Sequence, residues 1–302
     1  MNRHESCIVC NSGSLENDTK AAKFLNLPAM FEIKRCKRCR LRWLYPMPDE
    51  EEYKLFYSTK YFTDKKILDA PEWMNYFDVP EIYEDKAAKV RLIEFEERLN
   101  RLDKFFKNQG SLLDIGIATG EFMSMANERG WNVSGLDISD FAVEKALEKF
   151  GVKAEVGNLL EIDFNGKKFD AIHLNHVFEH LLDPVASLCK ISKLMHSGSL
   201  LIIEVPNQFD SLVRKTVGLV RSLYGNNQQK RSIYSIHHPY FYNANNIQSL
   251  ISQNGFEILT VKTYFPERWN QNISRKILRW VELVGNSINK QGDNIEIIAK
   301  LK

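Results

Sequence analysis

The sequence has few cysteines, no long apolar run and almost no net charge, and each of these shortages excludes a class of protein. Five cysteines in 302 residues are too few for a disulfide scaffold. No stretch approaches the roughly 18 consecutive apolar residues of a membrane span, and the N-terminal residues lack the apolar core of a signal peptide. With 41 basic and 39 acidic side chains, the net charge of +2 gives no overall field for nucleic acid or anionic lipid. We therefore expect a cytoplasmic globular protein without a membrane span; the sequence indicates no oligomeric state.

Four of the five cysteines form two identical C-x-x-C pairs. Four thiolates can complete a tetrahedral zinc site, which organises a segment too short to build its own core. The 25 residues between the pairs exceed the usual spacing, but a ribbon loop can accommodate the difference. We predict a zinc-ribbon module over residues 1–48 with a structural Zn²⁺ bound by Cys7, Cys10, Cys36 and Cys39. The fifth cysteine, Cys189, lies among apolar residues of a predicted helix, so we expect it to be buried.

Six basic side chains surround the second cysteine pair, between residues 34 and 42. Such a cluster can bind phosphate and invites a nucleic-acid interpretation. The acidic run at residues 49–52 offsets much of this charge. We therefore favour a solvated surface, or one that binds the diphosphate of a nucleotide-linked sugar, over an RNA-binding surface.

From residue 108 onward, strand-like and helix-like segments alternate, which is the pattern of a parallel sheet covered on both faces. A long amphipathic helix precedes them over residues 81–107, within a helical linker or substrate cap at 49–107. Additional helices are predicted in insertions at about 207–242 and 266–290. The predicted strands are residues 112–115, 131–136, 152–156, 169–174, 199–205, 256–264 and 295–301.

A glycine-containing turn at residues 114–121 follows the first predicted strand and opens a helix. Small residues there allow a ligand to approach the backbone at the carboxyl edge of the sheet. Asp137 ends the second strand, 21 residues after Gly116, where a carboxylate can accept both hydroxyl protons of a ribose. The pattern predicts a nucleoside-containing cofactor.

The charges of the turn discriminate between such cofactors. Glu121 stands where a dinucleotide would place its pyrophosphate, and the carboxylate would repel phosphate. S-adenosylmethionine has no phosphate and a cationic amino-acid end, so it tolerates acidic residues at this edge. Asp114 is the better candidate for the methionyl end, whereas we expect Glu121 to be exposed to solvent.

Four segments carry a resemblance to class I S-adenosylmethionine-dependent methyltransferases over residues 108–302: LLDIGIATGEF, GWNVSGLDIS, FDAIHLNHVFEHLLDP and SGSLLIIEVPN. The resemblance implies an α/β, Rossmann-like fold whose seven-stranded sheet has the order 3-2-1-4-5-7-6, with strand seven antiparallel. Ala118 stands where the family often has glycine. The cofactor-binding residues that the resemblance and the preceding argument predict are Asp114, Gly116, Ile117, Gly120, Asp137, Ile138, Asn158, Leu159, Asn175 and His176.

The resemblance also implies how part of this set contacts the cofactor. Ile138 and Leu159 would enclose the adenine, and Asn158 would accept a hydrogen bond from its amino group, where many relatives have aspartate. Asn175 and His176 would lie beneath the methionine end.

Glu179 and His180 follow the fourth predicted strand, which in this family runs beneath the methyl donor. Transfer to a weakly nucleophilic oxygen or carbon needs alignment and a base, so we predict His180 as the base with Glu179 beside it. Two alternatives stay open. In the first, Glu179 and His180 have an architectural role, since many relatives with diverse substrates carry the same pair. In the second, a divalent metal is bound by His176, Glu179, His180 and His238, in a cluster that resembles that of RNA-terminus and quinone methyltransferases. In that second case His176 replaces a glutamate, which makes the site worse for magnesium.

The cysteine segment resembles the zinc module of sugar C-methyltransferases from antibiotic pathways. Those enzymes carry Tyr-x-Glu-His where this chain has Val177-Phe178-Glu179-His180, so the tyrosine is absent. The sequence favours a methyltransferase that acts on a small or carrier-linked acceptor, in particular a nucleotide-linked sugar or surface-polysaccharide precursor. The alternatives are a zinc-ribbon RNA-binding methyltransferase and a catalytically silent binding protein with a methyltransferase fold.

Overall fold

A computed structural model describes the chain at residues 5–48 except 26 and 28, at residue 51, and at 86–211, 238–264 and 292–302. The helices predicted in the two insertions, and most of the predicted cap at 49–107, lie outside these described residues. Within the described part of the chain, no helix combines the length and apolar character needed to cross a membrane.

A small antiparallel sheet lies between and beside the cysteine pairs and receives its last strand from far along the chain. Its strands are β1 (Leu15–Asn17), β2 (Glu32–Cys36), β3 (Arg42–Tyr45) and β9 (Tyr240–Phe241), in that spatial order, and helix α1 (Thr19–Phe24) follows β1. In the pairing of β3 with β9, Arg42 lies opposite Phe241 and Trp43 opposite Tyr240. We call residues 5–45 the cysteine module; β9 anchors it to the rest of the protein.

The seven-stranded sheet has the spatial order β10-β11-β8-β7-β4-β5-β6. β11 is antiparallel to both neighbours, and the other described pairs are parallel. Read from its other edge, this is the predicted order 3-2-1-4-5-7-6, which is confirmed. The strands are β4 (Ser111–Ile115), β5 (Asn132–Asp137), β6 (Ala154–Val156), β7 (Phe169–Asn175), β8 (Met195–Pro206), β10 (Phe256–Tyr264) and β11 (Asn294–Leu301).

Local sequence signals explain where the helices begin and end. The Asp183 carboxylate accepts a hydrogen bond from the Ala186 amide at the start of α5 (Pro184–Lys193), and Pro184 occupies the first turn. Gly151 ends α4 (Asp140–Phe150) in the left-handed conformation, with φ of 66°. The helices are α2 (Lys86–Asp103), α3 (Glu121–Glu128), α4 (Asp140–Phe150), α5 (Pro184–Lys193) and α6 (Ala244–Gln253), with a 3₁₀ turn at Phe178–His180.

The prediction that Cys189 is buried is wrong, because its side chain is exposed. Its neighbours Leu188 and Ile191 are fully buried on α5. A helix turns by about 100° per residue, so the position after Leu188 points away from the sheet.

The cysteine module and the large sheet share one hydrophobic core. Cys7 and Trp43 of the module belong to the same buried cluster as Tyr240 beside it and Ile247 of α6. The Asn246 side chain also donates a hydrogen bond of 3.5 Å to the carbonyl of Cys39. The module is therefore packed against the segment that precedes and forms α6.

A buried ion-pair network ties α2 to the middle of the sheet. Arg98 is 3% exposed and pairs with Glu204 of β8, and its Nε lies 3.7 Å from Glu296 of β11. Arg101, one turn further along α2, also pairs with Glu296. Burial alone would favour the neutral acid, but the attraction of Arg98 outweighs it and lowers the pKa of Glu204. The network fixes Glu204 as a carboxylate beneath the carboxyl edge of β7.

Candidate active site

The glycine turn after β4 is held tightly against neighbouring elements. The Gly116 amide donates a hydrogen bond of 2.7 Å to the carbonyl of Leu136. Gly116 has φ of 78°, and a Cβ there would lie 2.2 Å from Cγ2 of Val177. Gly120 has φ of 83°, and its Cβ would lie 2.7 Å from that of Ala146. Both positions therefore require glycine. Ala118, between them, adopts a positive φ of 49° although it has a side chain, and such strain is concentrated at functional sites.

Asp137 links this turn to the start of α4. Its Oδ2 accepts a hydrogen bond of 3.0 Å from the Ala118 amide, and its Oδ1 accepts one of 2.9 Å from the Ser139 amide. Burial raises the pKa of Asp137 to about 6, although these amides favour the charged form. Each carboxylate oxygen has a second lone pair, so the side chain can still accept hydroxyl protons from a ligand at the sheet edge.

The residues predicted around the adenine lie after β5 and β6. Ile138 follows Asp137 and is partly buried, while Leu159 is buried. The Asn158 Oδ1 accepts a hydrogen bond of 3.0 Å from the Leu160 amide, which folds the loop after β6. The structure thus gives the Asn158 oxygen a local partner, and its predicted contact with the cofactor stays a prediction.

The two acidic residues of the glycine turn are both buried. Asp114 lies within β4, and its Oδ1 is 2.7 Å from Nδ1 of His173 on β7, whose ring stacks on Phe122 at 3.9 Å. Its contact with the methionyl end stays a prediction. The expectation that Glu121 is exposed is wrong, since it is 5% exposed. The buried Thr119 hydroxyl donates a hydrogen bond to Glu121, which replaces a hydrogen bond from water that the carboxylate loses on burial.

Asn175 and His176 stand at the carboxyl end of β7. His176 has a positive φ of 53°, and its ring lies between two buried carboxylates. Its Nδ1 lies 3.4 Å from Glu179 Oε1, and its Nε2 lies 3.3 Å from Glu204 Oε1. Burial opposes the charged imidazole, but the contacts with Glu179 and Glu204 outweigh it and raise the pKa of His176 to about 9. The two carboxylates therefore favour the imidazolium form of His176 at neutral pH. The Asn175 Oδ1 is buried without a hydrogen-bond partner among the residues described.

Sequence reasoning missed Glu204, although one signal was available. Glu204 is the acidic residue within the apolar run LLIIEVP of β8. A charge in the interior strand of a covered sheet is rare unless it is paired, so such a residue is a candidate for a site or a buried network.

Glu179, His180 and His238 form a cluster at the same edge. Their ligand atoms all lie within 4.8 Å of one another, and the rings of His180 and His238 are 4.6 Å apart. The distance of 3.8 Å between His180 Nε2 and Glu179 Oε1 is too long for a hydrogen bond. Gln208, which sequence reasoning also missed, contacts His238 Nδ1 through its Oε1 at 3.0 Å. Of the four residues in the alternative metal cluster, three lie together, while the His176 ring lies between Glu179 and Glu204.

The four cysteines of the module lie close enough to share one ion. The Sγ atoms of Cys7 and Cys39 are 3.4 Å apart, those of Cys10 and Cys36 are 3.5 Å apart, and all four lie within 4.8 Å of one another. A tetrahedral zinc ion with Zn–S bonds of about 2.3 Å separates its sulfurs by about 3.8 Å. None of the described cysteines forms a disulfide. The donor set and its spacing therefore fit zinc.

The fold and the glycine turn at its carboxyl edge define a class of protein. The family described as methyltransferase domain matches residues 87–261, more than half of the chain, and the chain belongs to that family. The protein is an S-adenosylmethionine-dependent methyltransferase with a Rossmann-like fold.

Several known proteins are similar to this chain. An uncharacterized methyltransferase of Staphylococcus carnosus is 27% identical over 210 residues, which cover 68% of this chain and 96% of that relative. An uncharacterized protein of Methanocaldococcus jannaschii is 26% identical over 195 residues, or 64% of this chain and 87% of that protein. Among solved structures, magnesium protoporphyrin IX methyltransferase of Synechocystis PCC 6803 is 15% identical, with a TM-score of 0.53 over 84% of this chain and 100% of its own. That likeness shows the fold alone.

Proposed function

We propose that the enzyme transfers a methyl group from S-adenosylmethionine to a small or carrier-linked acceptor, with a nucleotide-linked sugar or surface-polysaccharide precursor as the favoured class. The observation that carries this proposal is the packing of the cysteine module beside the site. β9 pairs with β3, and the same segment brings His238 to within 4.6 Å of the His180 ring. A module packed at this edge leaves less room for a large macromolecular acceptor.

The basic residues of the module offer less support for RNA as the acceptor. Arg42 pairs with Asp18 at 2.8 Å, and Arg35 pairs with Glu16 at 3.1 Å. Lys34 lies 3.1 Å from the carboxylate of Glu32. Half of the six cations near the second cysteine pair thus have carboxylate partners, which reduces the charge that they offer to a phosphate backbone.

For the cofactor, we assign the ribose to Asp137 and the adenine to the pocket of Ile138, Asn158 and Leu159. The glycine turn, with Gly116, Ile117 and Gly120, would lie beside the amino-acid end, and Asp114, Asn175 and His176 would lie near the methionine. The fixed backbone of the turn and the ionisable Asp137 support this arrangement.

On the acceptor side, we assign Glu179 and His180 to promoting loss of the acceptor's proton. Their position directly after β7, in the 3₁₀ turn Phe178–His180, supports this role. The charged His176 lies next to Glu179 and is poorly suited to take a proton at neutral pH. His180→Asn should therefore lower turnover by about 10²- to 10⁴-fold while cofactor affinity changes little. Full turnover of this variant on the true substrate would leave the pair with an architectural role.

The experiment that tests the function uses the purified chain with cofactor carrying an isotopically labelled methyl group. The protein is incubated with nucleotide-sugar fractions, total RNA and small-metabolite fractions of cell extract, and each is analysed by mass spectrometry. We expect the label in a nucleotide-linked sugar or glycan precursor. Label only in RNA would replace this acceptor class with the RNA alternative, and cofactor binding with no labelled product would support a catalytically silent protein.

We also propose that Cys7, Cys10, Cys36 and Cys39 bind one structural Zn²⁺, which would stabilise the module and, through β9, the segment that carries His238. Reduced cysteines of this kind fit the cytoplasm, where we place the enzyme. Elemental analysis of protein purified without chelator should find about one zinc at these thiols. Four freely titratable thiols with no zinc would contradict the assignment.

A further inference from the structure

The proposed function does not explain why the carboxylate of Glu179 is buried without hydrogen bonds. It is 1% exposed, and neither of its oxygens has a hydrogen-bond partner among the residues described. His176 approaches one oxygen at 3.4 Å, but this contact lacks hydrogen-bond geometry. Burying a carboxylate without hydrogen bonds costs several kcal/mol, so buried acids are normally paired or bound to metal. Besides its ion pair with His176, Glu179 therefore has unused lone pairs that can bind a further ligand.

Two imidazoles lie where such a ligand would be bound. Atoms of His180 and His238 that can coordinate a metal lie within 4.8 Å of each other and of a Glu179 oxygen. His238 is 8% exposed, and its Nδ1 is 3.0 Å from the Oε1 of Gln208. Donation of the Nδ1 proton to this oxygen leaves the lone pair of neutral His238 on Nε2. Metal-binding histidines are oriented by partners of this kind.

We propose that Glu179, His180 and His238 bind a divalent transition-metal ion, and that an acceptor hydroxyl becomes a further ligand of that ion. Two imidazoles and one carboxylate suit zinc, cobalt, iron or manganese, whereas magnesium prefers oxygen ligands. Three protein ligands leave coordination positions for water or substrate, as in catalytic rather than structural sites. The site differs from the four-residue cluster that the sequence left open as an alternative, because His176 lies between Glu179 and Glu204.

This inference rests on the proposed function and specifies how Glu179 and His180 act. A metal-bound hydroxyl loses its proton to solvent at lower pH than a free one. The resulting alkoxide attacks the methyl carbon of the cofactor. The oxygen–carbon bond forms as the carbon–sulfur bond breaks, and the electron pair of that bond stays on sulfur as S-adenosylhomocysteine leaves.

The test is a titration of the full-length, zinc-loaded protein with Co²⁺. Calorimetry measures the affinity, and visible absorption reports the ligands of the bound cobalt. We expect one cobalt ion per chain beyond the zinc, with d–d bands and no thiolate-to-cobalt charge-transfer band. Glu179→Gln and His238→Ala should each weaken cobalt binding by more than about 100-fold, because a direct ligand contributes more than its supporting partners. His196→Ala is the matched control, since His196 is exposed at the opposite end of β8 and contacts Asp170. Its cobalt affinity should be unchanged.

Substitutions of Gln208 give a second measurement, in which the three proposed metal ligands stay unchanged. Gln208→Ala should weaken cobalt binding by about 10- to 100-fold, whereas Gln208→Glu, which keeps an acceptor oxygen, should restore it. Circular dichroism confirms the fold of each variant. The proposal is overturned if the wild type takes up no cobalt beyond zinc, if the thiolate band appears, or if Glu179→Gln binds cobalt as the wild type does. Cofactor affinity is measured on the same samples, so normal cofactor binding without cobalt uptake would remove the metal and leave the methyltransferase assignment standing.

Discussion

Replacing Asp137 by asparagine should weaken cofactor binding by about 30- to 150-fold. In the wild type, both carboxylate oxygens accept backbone hydrogen bonds, from Ala118 and Ser139, and keep lone pairs for the two ribose hydroxyls. An amide has one oxygen, and its NH₂ group would face one of these two backbone donors. The loss of charge-assisted hydrogen bonds is worth about 2–3 kcal/mol, which gives the stated change in affinity.

Isothermal titration with S-adenosylmethionine measures this affinity, and pH adds a second readout. The pKa of Asp137 is about 6, so the wild type should lose affinity as the pH falls from 7 to 5 and the carboxylate is protonated. The Asp137→Asn variant should show no such fall. Asp140→Asn is the matched control, because Asp140 is an exposed acid at the start of α4. Equal affinities for the Asp137 and Asp140 variants, with both folded, would refute the reasoning.

Three further predictions concern stability. Gly116→Ala should lower the free energy of unfolding by at least about 1–3 kcal/mol in denaturant titrations, whereas Gly130→Ala, also at positive φ but with nothing within 4 Å of its Cβ, should cost less. Arg98→Met should cost about 3–5 kcal/mol because it removes the buried cation that Glu204 and Glu296 share, while Arg101→Met, at a partly exposed position, should cost clearly less. The pKa of His176 is raised from 6.5 to about 9, so its ion pairs stabilise the fold fully below pH 6.5 and lose this effect as the pH rises through 9. The difference in unfolding free energy between wild type and His176→Asn should therefore shrink between pH 6 and pH 10. A constant difference would contradict the assignment.

Much of the sheet could be predicted because its signals are local. Glycines at 130 and 151 end helices in the left-handed conformation, and Asp183 with Pro184 begins one. The strand order followed from the resemblance of four short segments rather than from periodicity. The glycine turn follows β4 and Asp137 ends the parallel neighbour β5, so these predicted cofactor residues meet at one edge of the sheet.

The remainder depends on contacts between distant residues. Nothing near Glu121 in the sequence indicates that the hydroxyl of Thr119 would allow its burial. Gln208 becomes noticeable only when the fold brings it to His238, 30 residues later. β9 has two residues, which is too short for any alternation of polar and apolar side chains to mark it as a strand.

The origin of β9 has a consequence for how the protein is made. About 200 residues separate β3 from the strand that completes its sheet, and synthesis at about 5–20 residues per second takes about 10–40 s to reach it. During that interval the edge of β3 that faces away from β2, and later pairs with residues 239–241, has no strand beside it on the nascent chain. An open strand edge is a template for pairing with other chains. The N-terminal part of this enzyme therefore passes through a period on the ribosome in which it depends on solvent, chaperones or its own charged side chains to stay unpaired.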